Sequence, residues 1–200
     1  MILSIHLAKT AGTSVVNTYT YENPEITNLN YDKKVVITTQ SLSEITNETI
    51  IVDTHPDFNE WEILKNYNPF VFTFLRNPRN RLLSLMAFNL DRDKEIGHPH
   101  IYKPIWETYK DFFNAKDFEE IIWYLKNKVH FIGYYENLHK DTEKLFKMLN
   151  CNFSNLRYNM MASSVSSKEK ILNEYQADLD EDVFRSHYEL DYKLYEYFKN

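Results

Sequence analysis

Met1-Ile2-Leu3-Ser4-Ile5-His6-Leu7-Ala8-Lys9-Thr10-Ala11-Gly12-Thr13-Ser14 runs from a short apolar strand into a turn carrying one lysine, one glycine and several hydroxyls, and then into a helix start. Backbone N–H groups at a helix N-terminus point at an anion, and a lysine beside them neutralises it. This order of residues therefore predicts a phosphate-holding strand–turn–helix. A Walker loop needs Gly, four residues, then Gly-Lys-Ser/Thr. Aligning Lys9-Thr10 on that pattern puts Leu3 and Ala8 where the glycines belong, and the glycine present, Gly12, follows the lysine. A standard nucleoside-triphosphate loop is disfavoured. The bland alternative is an ordinary strand–helix turn with a surface lysine.

Phe74-Leu75-Arg76-Asn77-Pro78-Arg79-Asn80-Arg81-Leu82-Leu83-Ser84 repeats the logic with arginine and serine. Arginine forks match phosphate oxygens in bidentate fashion. Pro78 sits where proline is favoured, at a first helical position. Two anion motifs on two strand–helix junctions point to a ligand with phosphates at both ends.

Outward from these motifs, apolar runs bounded by turn signals predict strands near Ile2–His6, Val35–Thr39, Ile50–Asp53, Phe70–Leu75 and Val129–Tyr134. Helical patterns lie between them: Thr13–Tyr21, a short helix after the capping box Ser41-Leu42-Ser43-Glu44, Phe58–Tyr67, Arg79–Leu90, Phe118–Lys126 and Thr142–Leu149. The tail Glu181–Lys199 is helical in pattern. Strands alternating with helices give an α/β class: a P-loop-like three-layer fold, with a central parallel sheet of about five strands flanked by helices. Ligands of such sheets sit at the carboxyl ends of the strands. Both anion motifs and His55 fall there.

Asp91–Lys116 is polar and aromatic, holds His98-Pro99-His100 and Pro104, and reads as an inserted loop or lid that meets an acceptor. Asn152–Lys170 is similar, with serines at 163–167 before Lys168 and Lys170, a segment able to close over a nucleotide. A metal reading of His98 and His100 needs further ligands, which the sequence does not supply. Residues 1–200 are expected to be a single domain, with 91–116 as the acceptor-binding insertion.

Composition narrows the functions. A net charge of -6 argues against nonspecific nucleic-acid binding, so any anion site must be local. Cys151 is the sole cysteine, which excludes an internal disulfide. No apolar run is long enough for a signal peptide or membrane span, so a cytoplasmic location is expected.

The two motifs together carry a family resemblance. His6-Leu7-Ala8-Lys9-Thr10-Ala11-Gly12-Thr13-Ser14 resembles the 5′-phosphosulfate loop of sulfotransferases that use PAPS (3′-phosphoadenosine 5′-phosphosulfate). Leu75-Arg76-Asn77-Pro78-x-x-Arg81-x-x-Ser84 resembles their 3′-phosphate strand and helix. The nearest likeness is to the carbohydrate O-sulfotransferase branch, the heparan and uronyl type with its bacterial members. Ile51-Val52-x-x-His55-x-x-Phe58, Phe131-Ile132-Gly133-Tyr134-x-Glu136 and Asp191-x-x-Leu194-Tyr195 are similar to further segments of that branch. One departure is Ala8, where the branch usually has proline.

The resemblance implies transfer of a sulfuryl group from PAPS to a hydroxyl of a carbohydrate or related small acceptor, by in-line displacement with a histidine base. It implies release of 3′,5′-adenosine bisphosphate with no metal required. Lys9 would contact the 5′-phosphate and bridging oxygen, Thr10, Ala11, Gly12, Thr13 and Ser14 would cradle the 5′ end, and Arg76 and Ser84 would hold the 3′-phosphate. His55 would be the base, since an imidazole titrates in the useful range. Asp53 and Asp57 are the fallbacks, and Asp53 is alternatively the residue that orients His55. An ATP-dependent kinase on a related fold and a noncatalytic nucleotide or glycan binder are the alternatives.

Overall fold

A computed structural model describes residues 1–23, 35–37, 49, 51–54, 57–92, 94–156 and 165–199. The expected base His55, the box at 41–44 and residues 163–164 lie outside the described residues.

Strands β1 (Ile2–Ile5), β2 (Val35–Ile37), β3 (Ile51–Thr54), β4 (Phe70–Leu75) and β5 (Phe131–Tyr134) form one sheet in the order β2-β3-β1-β4-β5. Every pairing is parallel, with Ile5 opposite Thr54 on one side and Thr73 on the other. β1 is central. The chain passes to one side of it for β2 and β3 and to the other for β4 and β5, so the crevice at the carboxyl ends of β1 and β4 is the ligand position for such a sheet. Those ends lead directly into the two anion motifs.

Side-chain alternation along the strands builds the three layers. Leu3, Ile5, Val52, Val71 and Leu75 face one core, and Ile2, Ile51, Phe72 and Phe74 face the other. The second core is closed by α1 (Gly12–Glu22) through Val15, Val16 and Tyr19 and by α6 (Leu138–Met148) through Leu145 and Phe146. The first core is closed by α2 (Phe58–Leu64), α4 (Ile105–Phe113), α5 (Phe118–Lys128) and α9 (Glu189–Lys199). A third cluster joins α3 (Pro78–Asp91) to α7 (Val165–Glu174), α8 (Glu181–His187) and Tyr192 of α9. No helix among the described residues is long and apolar enough to cross a membrane.

Two loop expectations give way to helices. Within 91–116, residues 105–113 form α4, whose Ile105, Tyr109, Phe112 and Phe113 are buried. Each such side chain contributes about 1.5–3 kcal/mol on burial. Tyr109 Oη also meets Thr73 Oγ1 at 2.8 Å, and that Thr73 hydroxyl lies 2.8 Å from the Ile5 carbonyl. The apolar face of α4 is thus core, while Asp111, Asn114 and Lys116 of the same segment are exposed. Within 152–170, Val165 starts α7, which places Ile171 against α3 in the third cluster.

Candidate anion-binding site

The turn after β1 is pinned from below at three consecutive carbonyls. Leu7 O accepts from the Thr10 hydroxyl at 2.7 Å and from Thr10 N–H at 3.2 Å. Ala8 O accepts from Arg81 Nε at 3.0 Å, and Lys9 O accepts from Arg76 Nη1 at 3.1 Å. A trans peptide sets its C=O and N–H on opposite sides. Holding the Ala8 carbonyl toward Arg81 therefore aims the Lys9 N–H away from it.

Lys9 and Ala11 are left-handed, with φ of 65° and 78°. For residues bearing a Cβ this costs about 1–2 kcal/mol each. Strain of this kind persists where the surroundings over-determine it, and it clusters at ligand sites. Ala11 is the N-cap of α1 and offers no side-chain cap, and no acidic residue stands in the first turn. By contrast, Asp57, Asn77, Asp117 and Asp180 each cap their own helix through the side chain. The positive end of α1 is thus left without a local carboxylate or cap.

Gly12 serves a different purpose from the glycines of a Walker loop. Its φ is not positive; instead, a Cβ there would stand 2.5 Å from the His6 ring. His6 Nδ1 lies 3.1 Å from Asp53 Oδ2, and His6 N–H donates to Thr54 O at 2.7 Å. The imidazole and its carboxylate thereby form the floor of the turn.

Around this floor the cations converge. The Lys9 ammonium lies 4.4 Å from the Phe88 ring centroid, and the Arg76 guanidinium stacks 3.8 Å from that of Tyr135. Burial, then the charges of Arg76 and Lys168, pull Lys9 below its ordinary pKa, while Asp91 pulls it up. Burial likewise lowers Arg76, with Tyr135 and Glu136 opposing. Arg76 Nε is buried and makes no hydrogen bond among the described residues. A locally cationic pocket in an anionic protein, with a spare buried donor, fits phosphate-type oxygens.

The sequence-expected residues divide as follows. Lys9, Ala11 and Thr13 are partly exposed around the turn, while Thr10, Gly12 and Ser14 are buried. The Thr10 hydroxyl is used inside the turn rather than toward a ligand. Ser84 is buried on α3 between Arg81 and Phe88, which both touch the turn; spacings of three and four place all of them on one helix face. Asp53 meets His6, and Asp57 accepts from Asn59 N–H at 2.7 Å as the cap of α2. Both fallback carboxylates thus have structural work. His55 lies outside the described residues; the chain reaches it directly from Thr54, the end of β3 that borders the turn.

The sequence motif held Arg81 without a contact of its own, offered Lys168 and Lys170 as alternatives, and left Phe88 and Glu136 without a role. Arg81 clamps Ala8, Phe88 underlies Lys9, and Lys168, rather than Lys170, is the charge that reaches Lys9. Glu136 Oε1 accepts from Asn77 N–H at 3.1 Å and fixes the chain next to Arg76. The helical spacing 81, 84, 88 was the available signal for the first two; nothing in the sequence separates Lys168 from Lys170.

No protein-family model matches the sequence, and no curated protein matches it. Among solved structures the chain is similar to the crystal structure of mouse sulfotransferase SULT7A1 complexed with PAP, at 14% identity and a TM-score of 0.38. The match covers 92% of this chain and 65% of that chain, so the present chain spans less than two thirds of its length.

Proposed function

We propose that the protein is a sulfotransferase that takes PAPS as donor and passes its sulfuryl group to a hydroxyl of a carbohydrate or related small acceptor. The observation that carries this reading is the meeting of Lys9 and Arg76 at the uncapped start of α1, where the charge of Lys168 also acts on Lys9. PAPS supplies the activated sulfuryl group and offers phosphates at both ends. Lys9 and the first-turn N–H groups of α1 hold the 5′ end and stabilise charge on the departing phosphate; such preorganised donors act where charge develops. Arg76, with Ser84 on the adjoining helix, holds the 3′-phosphate. His55 takes the acceptor proton as the new S–O bond forms and the old one breaks. Acceptor choice falls to residues 91–116 and the C-terminal region.

The test is transfer of radiolabelled sulfuryl from PAPS to a panel of sugars, glycolipids and small alcohols. Turnover without added metal is expected, abolished in both Lys9→Ala and His55→Ala. The lysine variant should also lose nucleotide binding, and the histidine variant should keep it. Near-normal turnover in His55→Ala overturns the base assignment; transfer from ATP with Mg²⁺ instead of from PAPS overturns the donor.

A further inference from the structure

His98-Pro99-His100 precedes α4, and its two imidazoles converge on one carboxylate from a distant part of the chain. His98 Nε2 lies 2.9 Å from Asp178 Oδ2, and His100 Nε2 lies 3.3 Å from Asp178 Oδ1. The three ligand atoms all lie within 4.8 Å of one another. A third imidazole adjoins them: the His100 and His187 ring centroids are 4.3 Å apart, as those of His98 and His100 are 4.6 Å apart. We propose that His98, His100 and Asp178 form a binding site for a divalent transition-metal ion of the zinc class, with His187 at its edge.

Three physical arguments carry the assignment. The donor set comes first: two imidazole nitrogens and a carboxylate oxygen are zinc-type ligands, and three protein ligands leave one position for water. Bonds of about 2.0–2.1 Å in tetrahedral array put ligand atoms roughly 3.3 Å apart, so the two contacts to Asp178 already stand near ligand spacing. Charge comes second. An ion pair needs one imidazole per carboxylate, whereas here His98 and His100 both reach Asp178 and His187 adjoins His100; in a metal site the one carboxylate would offset one of the dication's two charges.

Preorganisation comes third, because each ligand is next to a buried, anchored residue. Pro99 is buried between the two histidines, and its carbonyl accepts from Tyr188 Oη at 2.6 Å. Leu179, beside Asp178, is 1% exposed, and its carbonyl accepts from Arg79 Nε. Tyr188, beside His187, packs in the third cluster with Leu179. The ligands are thus held from below while remaining open to solvent. One contact is given up: the His100 N–H reaches His98 Nδ1 at 3.4 Å, and that nitrogen must carry the proton once Nε2 binds metal. At that length the loss is small. The site shares no residue with the Lys9–Arg76 cluster; a bound ion would tie the turn at 98–101 to the link between α7 and α8.

The experiment uses untagged full-length protein freed of metal with a chelator. Co²⁺ is titrated and followed by its visible d–d absorption, and Zn²⁺ is then added in competition. One ion per chain is expected, with affinity falling at least about tenfold in His98→Ala, His100→Ala and Asp178→Asn. His139→Ala, which removes an exposed histidine elsewhere, should bind like the parent. Zn²⁺ should raise the Tm of the parent by mass action and not that of the three variants, whose metal-free Tm should match the parent's. Absence of saturable binding, or binding undiminished in the three variants, would overturn the proposal and leave an ion-paired histidine cluster.

Discussion

Arg76 donates from Nη1 to the carbonyl oxygen of Lys9 at 3.1 Å, and its charge helps to depress the pKa of the Lys9 ammonium. One arginine thus shapes the backbone of the anion turn and repels the cation that the turn carries. An anion bound between them would turn a repulsive pair into two attractive ones. Because a guanidinium has donors to spare, the same side chain can clamp the turn and meet a ligand.

Replacing Arg76 separates these roles. Arg76→Ala removes a buried charge-assisted hydrogen bond and is expected to lower folding stability by about 1.5–3 kcal/mol, measured by urea unfolding. Arg76→Lys keeps the charge but loses the fork and the stack on Tyr135. Calorimetric titration with 3′,5′-adenosine bisphosphate should show binding weakened by about tenfold or more, the equivalent of one charge-assisted hydrogen bond. Unchanged affinity in Arg76→Lys would show that the guanidinium geometry does not matter.

A pH dependence of bisphosphate binding is expected from Lys9. Its pKa is lowered, so the ammonium loses its proton at a lower pH than an ordinary lysine. Affinity for the bisphosphate should fall as pH rises through that lowered value. Lys168→Gln removes one of the depressing charges and should move the fall to higher pH, while weakening binding at neutral pH. Titrations across the alkaline range of both proteins check it; coincident profiles would remove Lys168 from the site.

Gly12→Ala tests the floor of the turn. The added Cβ would stand 2.5 Å from the His6 ring, which Asp53 holds in place. Overpacking of this kind costs about 1–3 kcal/mol. A lowered Tm together with weakened bisphosphate binding is expected; a neutral substitution would mean that the ring moves freely.

Asp191 supports the fold at a cost that depends on pH. Its two carboxylate oxygens accept from Ile105 N–H and Trp106 N–H, each at 2.8 Å, and so cap α4 from α9. Burial pushes its pKa up to about 6, against the two backbone hydrogen bonds and Arg81. The unfolded value is about 3.9. Between the two, the folded state holds a proton that the unfolded state has lost. This group's contribution therefore becomes less favourable as pH rises from about 4 to about 6 and is constant above that, a change of about 2–3 kcal/mol. The stability difference between the parent and Asp191→Asn, from urea unfolding at several pH values, should shift toward the parent on acidification through that window. A pH-independent difference would contradict it.

Much of this architecture was legible because its signals are local. The strand at Phe70–Leu75 is apolar and ends at a turn, and Pro78 marks the start of α3 in both sequence and structure. The motif residues Lys9 and Arg76 meet because parallel pairing of β1 with β4 brings their strand ends together. What escaped was either masked by a stronger local signal or carried by distant contacts. Pro104 and the two histidines marked a loop, yet Ile105, Tyr109, Phe112 and Phe113 follow helical spacing directly after that proline, which is the N-cap of α4. Asp191 and Glu136 stood in motifs with no readable role. Each acts on backbone N–H groups far away in sequence, at α4 and at Asn77. Asp178 meets His98 only because the third cluster folds α7 and α8 onto α3.

The central claim is that the turn between β1 and α1, together with Arg76, is a nucleotide site with places for a phosphate at each end. Thermal unfolding of the parent and of Arg76→Ala with 3′,5′-adenosine bisphosphate, 5′-AMP and ATP with Mg²⁺ tests it most directly. A ligand that binds only the folded state raises Tm by mass action. Strong stabilisation of the parent by the bisphosphate alone, lost in Arg76→Ala, is the predicted result; equal responses to the bisphosphate and 5′-AMP, preference for ATP with Mg²⁺, or no response to any of them would contradict it.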